Sequence, residues 1–202
     1  MLIRVVLPFL AGYYFSYVLR AVNAVLGPVL ASEFGISAAG LGLLTGMYFF
    51  SFGLFQIPLG VLLDRFGPRR VNATLLLLAA GGALLFSQAS SFEQLVLARA
   101  LIGLGVSACL MACMQAFILW FPPERLSSMI ALAYSMGGLG AISASAPVEI
   151  ALRYFSWREI FAAFGAVALA LCLVFALVVP EHSRRHRPVS YTHLTLPTIY
   201  SV

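Results

Sequence analysis

The sequence predicts an all-α integral membrane protein whose six transmembrane helices form one bundle, and three observations predict it. Hydrophobic residues make up 62% of the 202 positions and charged residues only 9%, against roughly 25% charged in soluble domains. Apolar runs recur six times at lengths near the roughly 20 residues that carry a helix across the hydrocarbon core. The connections between those runs alternate between arginine-rich and arginine-poor, the asymmetry that orients membrane helices.

The first span runs from Val5 to Leu26. It begins like a secretory signal after Arg4, but the apolar run continues past Arg20 without a small-residue cleavage pattern, so it is read as a retained helix. The second, Leu41 to Leu63, ends on Asp64, Arg65, Arg69 and Arg70. The third is Val71 to Gln88, and the fourth is Gln94 to Trp120, which meets Pro122, Pro123, Glu124 and Arg125. Ser128 to Leu152 and Trp157 to Val179 complete the set, with Arg184, Arg185 and Arg187 beyond. The glycines at 42 and 46, 81 and 82, 103 and 105, and 137, 138 and 140 supply small surfaces on which helices approach closely in lipid.

The net charge of +5 comes from arginine alone, since the chain contains no lysine. Eight arginines fall on the side of the two ends, against Arg153 and Arg158 on the other side with Glu33 and Glu93. The positive-inside rule therefore predicts both ends of the native segment in the cytoplasm; a bacterial inner (plasma) membrane is the expected location. The charges are spread over short loops and gather on no one face, which argues against nucleic acid as a partner.

Residues 1–188 read as one amino-terminal transmembrane unit. The stretch 189–202 is polar and β-leaning, unlike a span or a basic tail. Its VSYTHLTLPT is spelled codon by codon by the adapter-like string GTC TCT TAT ACA CAT CTG ACG CTG CCG ACG, so it is expected to be non-native.

Cys109, Cys113 and Cys172 lie inside apolar runs and are read as packing residues. Cys109 and Cys113 share helical i, i+4 spacing, but no His, Asp or Glu on that segment completes a metal site, and neither metal nor cofactor is expected. An intramembrane hydrolase would need a nucleophile with a base beside it. His182, His186 and His193 all fall outside the spans, so the chain is not read as an enzyme.

The most specific feature is GVLLDRFGPRR, which sets Gly60, Asp64, Arg65, Gly67, Arg69 and Arg70 where the second span meets its loop. Glycines there allow a sharp turn, and an aspartate at a membrane boundary can meet an arginine or a helix amino terminus on a facing element, latching one conformational state. The string resembles the G-x-x-x-D-R-x-G-R-R loop motif of the major facilitator superfamily, with Pro68 in place of a common basic residue. The arginine of the first span, the R-x-x-x-G from Arg99 to Gly103 and the W-R-x-x-F from Trp157 to Phe161 fall where that family has similar patterns. The resemblance implies a twelve-helix fold of two six-helix bundles, each an inverted 3+3 repeat, rocking about a site near the bilayer midplane. This chain would be the amino-terminal bundle, its partners being the lipid bilayer, a small-molecule substrate and a missing carboxy-terminal bundle. A self-contained six-span protein working as a dimer is the alternative. SMGGLGAISASAP, from Ser135 to Pro147, does not match the family's antiporter signature, so no direction of transport is assigned. No nucleotide motif is present, and the energy source is read as an ion or solute gradient.

Arg20 and Arg99 lie within spans, where a charge costs about 2.5 to 3.5 kcal/mol on insertion scales and marks a cavity or a paired site. At 100° per residue Tyr13, Tyr17 and Arg20 share one helix face, a guanidinium among phenols suited to an oxyanion. These four residues, Arg20, Tyr13, Tyr17 and Arg99, are the candidate substrate contacts, for an organic or inorganic anion. Either arginine can instead snorkel outward or pair with Glu149 or the missing half. Asn23, Gln56, Gln115 and Tyr134 are expected to bond between helices, and Glu149 with Arg153 to form an interfacial i, i+4 pair.

Overall fold

The computed structural model describes residues 2–181, and among them all regular structure is helical. The expected non-native stretch 189–202 and the arginines at 184, 185 and 187 lie outside the described residues.

Helix α1 (Leu2–Phe34) continues two turns past Leu26, through Pro28. It stops at Gly35, whose φ of 64° reverses the chain, while the Ile36 amide donates to the Ala31 carbonyl at 3.2 Å. That is a Schellman closure, which satisfies a carbonyl that would otherwise be orphaned. Ser37 then caps α2 (Ala38–Ser87) by accepting from the Gly40 amide at 3.2 Å.

At 50 residues α2 would measure about 75 Å if straight, roughly twice a bilayer. It is not straight: Gly67 adopts φ 79° and ψ 162°, non-helical values that L side chains rarely reach, and Pro68 starts the next arm. The two arms, 38–66 and 68–87, are the second and third crossings, so five long apolar helical stretches make six transmembrane passes.

The fourth crossing is divided into α3 (Phe92–Val106) and α4 (Cys109–Trp120). Gln56 of the first α2 arm donates to the Ser107 carbonyl at this break, at 3.2 Å. An irregular backbone within a membrane needs such a partner. The fifth crossing, predicted as one helix over 128–152, is broken into α5 (Pro123–Ser143) and the short α6 (Ala146–Ala151). Pro147 lacks an amide hydrogen and its ring collides with the carbonyl four residues back, which interrupts the ladder. The chain leaves the helix after Ala151, and no ion pair joins Glu149 to Arg153 among the described residues; the predicted i, i+4 pair fails because Arg153 sits in a turn. Helix α7 (Trp157–Leu177) opens on a capping box between Ser156 and Glu159.

Close glycine contacts hold the elements together. A Cβ on Gly105 would lie 2.4 Å from the Ala79 amide nitrogen, one on Gly103 2.2 Å from the Tyr48 carbonyl, and one on Gly140 2.3 Å from the Tyr14 carbonyl. These positions bring α3 against both arms of α2, and α5 against α1. A Cβ on Gly42, Gly46, Gly81 or Gly138 would meet nothing within 4 Å, so these four do not seal a contact. Phe86 stacks on Phe161 at 4.0 Å and meets Trp157 edge-on at 5.8 Å, binding the second α2 arm to α7. The outer face of the first α2 arm stays open, with Phe50, Leu54, Ile57 and Val61 exposed.

Candidate functional site

Arg20 projects from the middle of α1 into an aromatic cage. Its guanidinium carbon lies 4.5 Å from the ring centre of Tyr17, one turn back, and 5.0 and 5.8 Å from Phe52 and Phe49 of the first α2 arm. Ring faces attract a cation without neutralising it. The Arg20 Nε is buried without a hydrogen-bond partner. No carboxylate forms an ion pair with Arg20 or Arg99 among the described residues, so the alternative pairing with Glu149 is absent.

Tyr13 and Tyr17 meet edge-on at 5.1 Å. Gly137 of α5 seats against both rings, since a Cβ there would lie 2.9 Å from the Tyr13 ring and 3.0 Å from that of Tyr17. Tyr13 is thereby buried while Tyr17 and Arg20 remain half-buried. Tyr134, expected to bond between helices, instead presents its ring to Tyr13 at 6.4 Å and is exposed.

Arg99 is fully enclosed. Its Nη1 donates to the Leu19 carbonyl of α1 at 3.0 Å, and its guanidinium carbon lies 4.8 Å from the Tyr48 ring centre. Nε and Nη2 are buried without partners. The buried Tyr48 phenol lies within electrostatic reach of both Arg20 and Arg99. Residues 48, 49 and 52 escape a sequence reading because they sit in a run of aromatic residues with no distinguishing period.

Beside the cage, α1 and the first α2 arm border an open groove of about 660 Å³ whose walls include Asn23, Gly27, Thr45, Gly46 and Phe49. Asn23 donates to the Thr45 hydroxyl at 2.8 Å, a bond between helices as the sequence suggests.

The loop motif occupies the other landmark of the fold, the hairpin at Gly67. Asp64 accepts from the Gln115 side chain of α4 at 3.2 Å, a bond to a neighbouring helix. Arg65 lies against the Phe66 ring at 5.3 Å. Arg69 reaches the last turn of α7, where its Nε donates to the Phe175 carbonyl at 3.1 Å and its Nη2 to that of Ala176. A cation there caps otherwise orphaned carbonyls and complements the helix dipole. Arg70 pairs with Glu181 at 2.5 Å. A Cβ on Gly60 would meet nothing within 4 Å.

One further polar cluster is absent from the sequence reading. Glu33, at the end of α1, accepts from the Trp157 indole at 2.6 Å and from Arg158 at 2.6 Å, while Arg158 also donates to the Ala89 carbonyl at 3.1 Å. It ties α1, α7 and the loop after α2 at one end of the bundle, and residues 124 positions apart give no local signal.

Residues 9–197 match the family described as Major Facilitator Superfamily. The chain is 27% identical over 182 residues to the probable sulfoacetate transporter SauU of Cupriavidus necator, covering 90% of this chain and 42% of that protein. It is 32% identical over 188 residues to the inner membrane transport protein YnfM of Escherichia coli, covering 93% of this chain and 45% of that one. The fold superposes with a TM-score of 0.78 on the crystal structure of a bacterial homolog to the human lysosomal transporter Spinster, in an inward-facing and occupied conformation. That match is 20% identical and covers 88% of this chain and 44% of the other. The chain thus spans less than half the length of these relatives, and the six-pass bundle with its glycine-bent loop motif belongs to the Major Facilitator Superfamily.

Proposed function

We propose that this chain is the amino-terminal bundle of a secondary transporter that carries a small organic or inorganic anion by alternating access, with Arg20 as the residue that meets the anion. The observation that carries the proposal is a half-buried guanidinium held on three ring faces with no carboxylate to neutralise it among the described residues. A charge at that depth is costly unless it serves a cavity or a ligand. Its planar fork suits a carboxylate, sulfonate or nitrate, and Tyr17 stands beside it. Tyr13 meets Tyr17 edge-on, and Arg99 supplies a second, enclosed positive charge against the Tyr48 ring. Sulfoacetate, named for the Cupriavidus necator relative, is an anion at both ends, which agrees with such a site.

The loop residues Gly60, Asp64, Arg65, Gly67, Arg69 and Arg70 act, on this reading, in switching between states and not in solute binding. Both ends of the native segment lie in the cytoplasm, because the arginine-rich connections gather there. The test is uptake by the intact protein in proteoliposomes, screened with labelled sulfonates, carboxylates and nitrate against neutral analogues of like shape. Uptake of an anion, competed by other anions and not by neutral analogues, is expected. Uptake confined to neutral or cationic solutes would refute the anion reading.

A further inference from the structure

Where the two arms of α2 meet at Gly67, the end of α4 and the segment after α7 close a second cavity, of about 360 Å³. Its walls include Arg65, Arg69, Arg70, Trp120, Pro180 and Glu181. Among the described residues, three guanidiniums and one carboxylate therefore line it. Arg69 is committed to the carbonyls of Phe175 and Ala176, which fixes its plane. Arg70 holds Glu181 in a pair whose members are 64% and 52% exposed, and Arg65 is exposed beside Phe66. Exposed pairs of this kind exchange partners readily, because water screens them and neither charge is desolvated. The cavity thus keeps a surplus of fork-shaped donors.

The rim of this cavity is apolar. Phe66 is 46% exposed, and Leu119 and Trp120 of α4 stand half-buried in the wall. Tryptophan prefers the level of lipid headgroups, and basic clusters at that level attract anionic lipid by about 1 kcal/mol per charge. Arginine forks bind phosphoryl oxygens in pairs.

We infer that this cavity binds a phosphoryl group, that of an anionic phospholipid whose acyl chains lie along Phe66 and Leu119. The chemistry is shared with free phosphate, and the apolar rim is what favours the lipid. This site uses no residue of the Arg20 cage, so it stands or falls independently of the transported solute. A lipid phosphate in place of Glu181 on Arg70 would hold the α2 hairpin against the ends of α4 and α7.

The test is native mass spectrometry of the intact protein in neutral detergent, titrated separately with phosphatidylglycerol, phosphatidylcholine and inorganic phosphate. Phosphatidylglycerol is expected to bind at least roughly tenfold more tightly than phosphatidylcholine, and Arg65→Gln combined with Arg70→Gln to remove that preference. Arg158→Gln, at a different cluster, should leave it intact. Glu181→Gln releases Arg70 and is expected to tighten phosphatidylglycerol binding several-fold, which keeps the test decisive if the double variant does not fold. Equal binding of the two lipids, an unchanged preference in the double variant, or no tightening in Glu181→Gln would overturn the proposal. Inorganic phosphate binding as tightly as phosphatidylglycerol would assign the site to a soluble anion and overturn the lipid assignment.

Discussion

At the scale of single residues, the glycines separate what spacing can and cannot reveal. Gly81 and Gly82 are adjacent in sequence, yet a Cβ on Gly82 would lie 2.9 Å from the Ile102 amide nitrogen while one on Gly81 meets nothing within 4 Å. Composition marks both as interface candidates, and only the packed neighbour decides between them. Gly105→Val should therefore be strongly destabilising, because the added carbons meet the Ala79 backbone, which cannot rotate away; overpacking typically costs about 1–3 kcal/mol or more. Gly81→Ala should be neutral or stabilise by up to about 1 kcal/mol through helix propensity. Thermal unfolding of the two variants in detergent checks the contrast, and equal midpoints would mean that the Gly105 contact does not hold the bundle. The arginine cage is legible by half. Tyr17 and Arg20 lie three residues apart on one helix, a spacing that predicts a shared face. Phe49 and Phe52 come from another helix, and nothing local in their aromatic run points to Arg20.

At the scale of elements, the loop motif and the proline both act through the backbone. Gly67 is left-handed at φ 79°, so Gly67→Ala should strain the hairpin by about 1–3 kcal/mol and lower the unfolding temperature. Gly60→Ala lies in the same motif with open space around it and should be tolerated. If the two variants unfold alike, the bend does not depend on the conformation of Gly67. The turn itself is readable, because glycine next to proline with charged neighbours punctuates an apolar run. The interruption at Ser145 is not: hydropathy across 123–151 is continuous enough to cross the bilayer, and it conceals a break that hydrogen bonding imposes before Pro147. The extension of α1 to Phe34 is hidden for a similar reason, since Pro28 suggests an end that the packing of Leu30 overrides.

At the scale of the whole molecule, the chain forms one bundle of a family whose relatives are more than twice its length, and its outer faces are correspondingly apolar and open. Fold class and membrane character are legible because composition and run length leave few alternatives; the route by which helices meet is not, as with Glu33 and Arg158. Asp64 bridges the hairpin region to α4 through Gln115, so Asp64→Asn in the intact protein should slow transport while leaving equilibrium affinity for the solute within a few-fold. A large loss of affinity with normal turnover would move Asp64 into the binding site. Contact between Arg20 and the transported anion is measured by the equilibrium affinity of purified Arg20 variants, using an anion found in the uptake screen. Loss of a charge-assisted contact in Arg20→Ala should cost about 1.5–3 kcal/mol, roughly tenfold to more than a hundredfold in affinity. Arg20→Lys should also bind more weakly, because it keeps the charge and loses the fork. If Arg20→Ala binds the anion as tightly as the parent protein, whether or not its folding suffers, Arg20 is structural and does not meet the anion.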